Sequence, residues 1–350
     1  MDRIKRIGLM VLLVIFAIAG LSTVSSAELK LTPEYFVVKN FTLKSGAVLG
    51  EMKVEYGTLG TPRKDAAGKI TNGLMFCHGG SGNYAQIKLL KDVVGPGKPF
   101  DTDKYFIICP TALGFPDSSC PSNSGGPDFP KYTVSDMVAA QYLLVTQHLG
   151  IKHLAGVAGP SMGGMQTLQW ITQYPDFMDW AIPIATAASF KGRNVGIWGL
   201  MNHVITSDPA YMGGRYIDQP KKGLELGFMG TYLWYFAPKY FEVKYKTNEE
   251  LLKSLKDIGL GSAKADANNI IWRNDAMIAY DVKDQLSKVR ARTLVIGVNS
   301  DEIFPPQTGF IPISKSIPGA KLFAYDSMLG HLGCAVEIKK AGQAIADFLR

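Results

Sequence analysis

Residues 155–168 read AGVAGPSMGGMQTL, and Ser161 stands in this stretch between Gly159 and Gly163. A short apolar run precedes the serine and a helical pattern follows it. A G-x-S-x-G turn between strand and helix lifts a serine hydroxyl above a sheet at a helix N-terminus, where backbone N–H groups and the helix dipole favour negative charge. The flanking glycines leave room for so tight a turn, and Gly164 lets the helix lie close to the strand. An ordinary βα turn with chance glycines reads the same over five residues, so the partners of Ser161 decide between the two.

A serine hydroxyl becomes a nucleophile only when a base takes its proton, and that base needs a carboxylate to orient it. After a strand–serine–helix turn the expected chain order is serine, acid, histidine. VIGVNSDEIFPP ends a late strand in a loop bearing Asp301, and AYDSMLGHLGC ends the last strand in a loop bearing His331. Of the five histidines only His331 lies beyond the acid loop: His148 and His153 flank the strand before the turn, His203 falls in a different region, and His78 follows GLMFC. Asp326, at the end of its own strand, and Glu302, beside Asp301, are the other candidate acids. The oxyanion needs the N–H after the nucleophile, that of Met162, and one from the loop after GLMFC. HGGSG at 78–82 is that loop, with Gly80 the first choice of donor and Gly79 the second.

These loops need a scaffold. Strands are expected in EYFVVKNF, EMKVEYGTLG, GLMFCHGG, KYFIICP, LAGVAG, WAIPIATAA, RTLVIGVNSD and KLFAYDS. Helices are expected in SDMVAAQYLLVTQHLG, capped by Thr133 or Ser135, in GMQTLQWITQY, and in the closing EIKKAGQAIADFLR. Apolar strands separated by helices imply an α/β fold around a mostly parallel central sheet covered on both faces. Residues 191–284 break that rhythm: they are rich in aromatics, including Trp198, Tyr232, Trp234 and Tyr235, and show no alternating strands. The reading is a core built from 28–190 and 285–350 with a helical cap inserted at 191–284. The cap's aromatics fit its own small core or, equally, a pocket lining or dimer face.

Residues 1–27 have the three-part layout of a signal peptide: Arg3, Lys5 and Arg6, an apolar run over 7–21, then Ser25 and Ala27 at the small positions of a cleavage site. Fifteen apolar residues fall short of the ~20 that cross a bilayer comfortably. Cleavage after Ala27 implies a secreted or periplasmic chain with no stable membrane insertion. It removes three cations and Asp2, a net loss of 2 from the +7 of the whole chain, leaving about +5. The basic residues are scattered, which argues against nucleic acid, because phosphate binding wants clustered cations. GPGKPF at 95–100 lacks the phosphate-loop spacing and reads as a turn. The four cysteines contain no CxxC pair to suggest zinc, and Cys77 and Cys109 read as buried small hydrophobes. An oxidising compartment would permit a Cys120–Cys334 bridge.

Taken together, VEYGTLGTPRKD, GLMFCHGGSG, GPGKPFDTDKYFIICPTALG, GPSMGGMQTLQWITQYPD, SDPAYMGGRY and NSDEIFPP followed by GH resemble the homoserine O-acetyltransferase family of α/β-hydrolases. The resemblance spans nearly all of 28–350. It implies Ser161 as nucleophile with Asp301 and His331, a ping-pong acyl-enzyme route, and a cap that often forms a dimer contact. Two departures stand out. The family's oxyanion loop usually reads His-Ala-Leu-Thr-Gly, against His78-Gly79-Gly80-Ser81-Gly82. Where the family implies a cap arginine that grips the homoserine carboxylate, this chain aligns Phe228 of GLELGFMG. Phe228 and Tyr232 are accordingly the candidate pocket residues.

The sequence therefore predicts an exported serine hydrolase acting on a small-molecule ester, or an amide, without cofactor or metal. An O-acyltransferase of the homoserine O-acetyltransferase type is the alternative, and a binding protein on a hydrolase scaffold the second.

Overall fold

The computed structural model describes residues 29–350, so the signal-peptide reading and its cleavage after Ala27 lie outside the described residues. Eight strands form one sheet: β1 (Glu34–Thr42), β2 (Val48–Leu59), β3 (Gly73–Phe76), β4 (Phe106–Pro110), β5 (Leu154–Pro160), β6 (Met178–Ile184), β7 (Arg292–Val298) and β8 (Lys321–Tyr325). Their order is β1-β2-β4-β3-β5-β6-β7-β8. The β1–β2 and β2–β4 pairs are antiparallel, and every pair from β4 to β8 is parallel. β3, β4 and nearly all of β5 and β6 are buried, which is why they read as unbroken apolar runs.

Two apolar clusters cover the sheet. On one face Met75, Val157, Leu168 and Trp170 belong to a core that continues into the cap through Trp198, Met201 and Leu224. On the other, Phe76, Trp180, Ile182 and Ile296 pack with Ile345 and Phe348 of the closing helix. Cys334 belongs to this second cluster, whereas Cys120 sits by the Pro121–Asn123 turn and contacts Ser122. Both thiols are buried and free, so the structure does not contain the permitted Cys120–Cys334 bridge.

The helices that position the site are α1 (Val134–Leu143) and α2 (Met162–Gln173). Thr133, not Ser135, caps α1: its hydroxyl accepts from the Asp136 N–H while the Asp136 carboxylate accepts from the Thr133 N–H, a reciprocal capping box. Between β6 and β7 come α3 (Arg193–Thr206), α4 (Lys221–Tyr235), α5 (Pro238–Lys244), α6 (Asn248–Ser262) and α7 (Ala267–Ile278), with no strand among them. α8 (Phe310–Ser316) follows β7, and α9 (Gly333–Val336) and α10 (Gly342–Leu349) follow β8.

Candidate active site

Strand β5 runs into Ser161 and α2 begins at the next residue, Met162. Ser161 has φ 58° and ψ −123°, in the left-handed region that a residue with a Cβ adopts only under constraint, at about 1–3 kcal/mol. Its N–H donates to the Ile184 carbonyl at 2.8 Å, fastening the turn to the end of β6. The glycines answer a steric demand. A Cβ on Gly159 would lie 2.4 Å from the Cys77 carbonyl oxygen, and one on Gly163 would lie 2.1 Å from the same atom. The end of β3 thus crosses the elbow at a distance that only hydrogen allows.

The C-terminal ends of β7 and β8 carry the partners. His331 Nε2 lies 2.8 Å from Ser161 Oγ, and His331 Nδ1 lies 2.7 Å from Asp301 Oδ2. The other Asp301 oxygen accepts the Ile303 and Phe304 N–H groups, each at 2.8 Å. Three hydrogen bonds, two on one oxygen and one on the other, therefore aim Asp301, and the residue is 1% exposed. With an ionised Asp301, the proton of a neutral His331 sits on Nδ1 and Nε2 is free to accept from the serine. The Ser300 hydroxyl donates to the Ser327 carbonyl and ties the acid loop to the histidine loop. Phe304 and Tyr235 pack on the imidazole at 5.5 and 6.0 Å between ring centroids. Gly330, at φ 54°, abuts the cap: a Cβ there would meet the Ala237 nitrogen at 2.6 Å.

Opposite the histidine, the 78–82 loop is held at four points. His78 donates from Nδ1 to the Gly79 carbonyl at 2.7 Å, and its Nε2 accepts the Ala112 N–H at 2.9 Å. Burial pushes its pKa down to about 4, so it works as a neutral imidazole with one defined tautomer. Gln166 donates to the His78 carbonyl at 3.1 Å, and the Arg273 guanidinium donates to the Gly80 carbonyl at 2.7 Å. Gly79 is not available as an oxyanion donor, because its N–H is committed to Gln86 Oε1 at 2.5 Å. Among the described residues, neither the Gly80 nor the Met162 N–H is spent on another acceptor. Two free N–H groups beside a partly exposed serine can stabilise an oxyanion formed on an attacked carbonyl.

The remaining candidates lie elsewhere. Asp326 is exposed and accepts from Asn299 Nδ2, while Glu302 pairs with Arg193 at 2.9 Å; neither faces the imidazole. Tyr232 does not line the site. It is packed into the cap's own aromatic cluster with Phe236, Tyr240, Leu255 and Ile258, and its hydroxyl meets that of Tyr245 at 3.3 Å. That cluster underlies Leu329 and Leu332, so it braces the loop that carries His331. The aromatic of α4 that reaches the imidazole is Tyr235, while Phe228 packs partly buried against the main core. Gln86 and Arg273 are thus site neighbours that the sequence reading passes over, and Tyr235 is one it names only among the aromatics of 191–284. Only Arg273 left a local signal, a cation among the apolar residues of ANNIIWRNDAMI. Two surface clefts, one lined by Lys191, Lys283 and Thr308 and one by Pro121, Gly214 and Asp266, do not include Ser161 or His331.

Residues 73–334 match a family model described as the alpha/beta hydrolase fold. A "Probable acyltransferase" of Methanothermobacter thermautotrophicus is 38% identical over 316 residues, covering 90% of this chain and 97% of that protein. A homoserine O-acetyltransferase of Methanosphaerula palustris is 31% identical over 367 residues, covering 93% and 74% respectively. Among solved structures, esterase E22 superposes with a TM-score of 0.84 at 23% identity, covering 92% of this chain and 100% of that one, a likeness of fold.

Proposed function

The chain belongs to the homoserine O-acetyltransferase-like family of α/β-hydrolases, and on that premise we propose that it is an O-acyltransferase working through an acyl-enzyme on Ser161. The observation that carries the proposal is the continuous line from Ser161 Oγ through His331 to Asp301, at 2.8 and 2.7 Å. The relatives named acyltransferases favour a hydroxyl over water as the acyl acceptor.

In this mechanism Ser161 Oγ attacks the carbonyl carbon of an ester or thioester while its proton passes to His331 Nε2. The negative charge formed on the carbonyl oxygen is met by the Gly80 and Met162 N–H groups; one such donor is worth roughly 10²–10³ in rate. Collapse breaks the bond to the leaving group, which takes the proton from His331. An acceptor hydroxyl then gives its proton to His331 as it attacks the acyl-Ser161 carbonyl, and collapse breaks the acyl–Oγ bond while Ser161 Oγ takes that proton back from His331. Asp301 keeps its charge throughout and holds the imidazole.

The second reading is transfer to water, the esterase reaction. Phe228 favours it, because an apolar side chain stands where the family resemblance implies a carboxylate-gripping arginine. Product partition separates the two. With an acyl ester as donor, rising concentrations of hydroxyl acceptors, homoserine among them, should convert free acid into O-acylated acceptor. Release of free acid alone with every acceptor would establish the esterase instead. Export belongs to the proposal as well, supported by the layout of residues 1–27. A protein recovered outside the cytoplasm should begin at Glu28, and a cytoplasmic chain beginning at residue 1 or 2 would contradict it.

A further inference from the structure

Arg273 on α7 is 7% exposed, and its guanidinium holds the Gly80 carbonyl 193 residues away in sequence. Its Nε and Nη2 donate to Asn274 Oδ1 at 3.2 and 2.8 Å, and Nη1 donates to Gly80 at 2.7 Å. A guanidinium has five N–H hydrogens, so two find no acceptor among the described residues. None of these partners is charged. Following the hydrogen bonds outward, Asn274 donates to Asn202, and Asn202 donates to Asp275, a carboxylate already paired with Lys131 at 2.7 Å. The guanidinium therefore holds the glycine loop next to the serine turn with no counter-ion among the described residues.

Its other neighbours add donors. The Trp198 ring lies 5.8 Å from the guanidinium carbon, and its indole N–H is buried without an acceptor. The Tyr132 hydroxyl is likewise buried without a partner, and the Tyr132 and Tyr235 phenols lie close enough to feel the charge of Arg273. Desolvation presses on the guanidinium itself, with no carboxylate offsetting it. Holding one backbone carbonyl would need only a neutral amide; burying an unpaired cation for that purpose is far more costly than burying an amide. Gly80 ties the cation to the serine turn: a Cβ built there would stand 3.9 Å from both Arg273 Cδ and Met162 Cβ, in ordinary van der Waals contact with each.

We propose that Arg273, with the Trp198 indole N–H, binds a carboxylate carried by the ester substrate a few bonds from its scissile carbonyl. A planar anion with two acceptor oxygens matches the two spare guanidinium hydrogens. The inference rests on the acyl-transfer reading of Ser161 and narrows its substrate to anionic esters. The carboxylate belongs either to the acyl chain or to the alcohol, and two arms of one experiment distinguish them.

In the first arm kcat/KM is measured for monophenyl glutarate against phenyl valerate, and in the second for 4-acetoxybutyrate against butyl acetate. The native protein should prefer the charged ester in one arm by about tenfold or more, the size of a charge-assisted pair. Arg273→Met should shrink that preference about ten- to hundredfold beyond any loss it causes on the neutral ester through the Gly80 loop. Arg273→Lys should restore part of it, and Trp198→Phe should weaken it severalfold. If Arg273→Met does not fold, Arg273→Lys and Trp198→Phe carry the same comparison. A binding readout runs beside turnover: glutarate, and not glutaramide, should raise the Tm of the native protein and of Ser161→Ala, with no rise in Arg273→Met and a smaller one in Arg273→Lys. No charged-ester preference in either arm, or equal losses on charged and neutral esters with no effect of glutarate on Tm, would reduce Arg273 to a support of the loop and overturn the proposal. Failure of Ser161 to react with a fluorophosphonate while the Arg273-dependent glutarate effect persists would sink the acyl-transfer reading and leave the anion site standing.

Discussion

Replacing Asp301 by asparagine changes almost nothing in shape and reverses the direction of one hydrogen bond. The native carboxylate accepts from Ile303 and Phe304 through Oδ1 and from His331 through Oδ2. In Asp301→Asn the amide oxygen must stay on the two backbone N–H groups, both at 2.8 Å. Turning it the other way would leave two buried donors facing an NH2 group, at about 1–3 kcal/mol each. The amide NH2 then points at His331 Nδ1 and donates to it. The imidazole proton is forced to Nε2, which faces Ser161 Oγ at 2.8 Å and can no longer accept the serine's proton. The loss expected is ~10³–10⁴ in kcat/KM, about 4–5.5 kcal/mol of barrier. The assay is ester turnover paired with the second-order rate of inactivation by a fluorophosphonate, because both need the same proton transfer. Tm monitors the fold. A folded Asp301→Asn enzyme that keeps more than about a tenth of native kcat/KM would refute the assignment of tautomer and with it the role of Asp301.

Three further outcomes follow from the same contacts. Gly163→Ala places a methyl 2.1 Å from the Cys77 carbonyl oxygen, so it should cost about 3 kcal/mol or more and show as a large fall in Tm and soluble yield. Asp326→Asn and Glu302→Gln should each keep kcat/KM within about fivefold of native, since one is a solvated carboxylate and the other a surface partner of Arg193; a thousandfold loss in either would reassign the acid. Glu55, buried beside Thr111, has its pKa raised to about 7, first by desolvation. Its contribution to folding is whole below the ordinary 4.5 and is lost as pH climbs through about 7, so the Tm of Glu55→Gln relative to the native protein should rise from pH 4 to pH 8; a flat difference would contradict the shift.

Much of this architecture is legible from local chemistry. β3 to β7 are buried on both faces and read as apolar runs, and the serine, acid and imidazole follow one another in the chain order that strand ends impose. What escaped the sequence depends on helical phase and on distance along the chain. Tyr232, Trp234, Tyr235 and Phe236 are consecutive or nearly so, and no periodicity in so aromatic a stretch tells which ring turns toward His331. Tyr232 and Tyr235 lie less than one turn apart and both pack in the cap cluster, yet only Tyr235 also reaches the imidazole. Gln86 and Arg273 hold the 78–82 loop from elements whose sequences do not say what they touch, the second across 193 residues. The Cys120–Cys334 pair fails for the same reason: two cysteines that flank loops in the sequence are buried in separate surroundings.

The central claim is that the strained hydroxyl of Ser161 becomes a nucleophile because His331 takes its proton. The most direct test is intact and peptide mass spectrometry of the folded protein after exposure to a fluorophosphonate. One adduct per chain, on the peptide bearing Ser161, absent from Ser161→Ala and formed far more slowly in His331→Ala, is the predicted result. No adduct, an adduct on another residue, or labelling at the native rate in His331→Ala would contradict it.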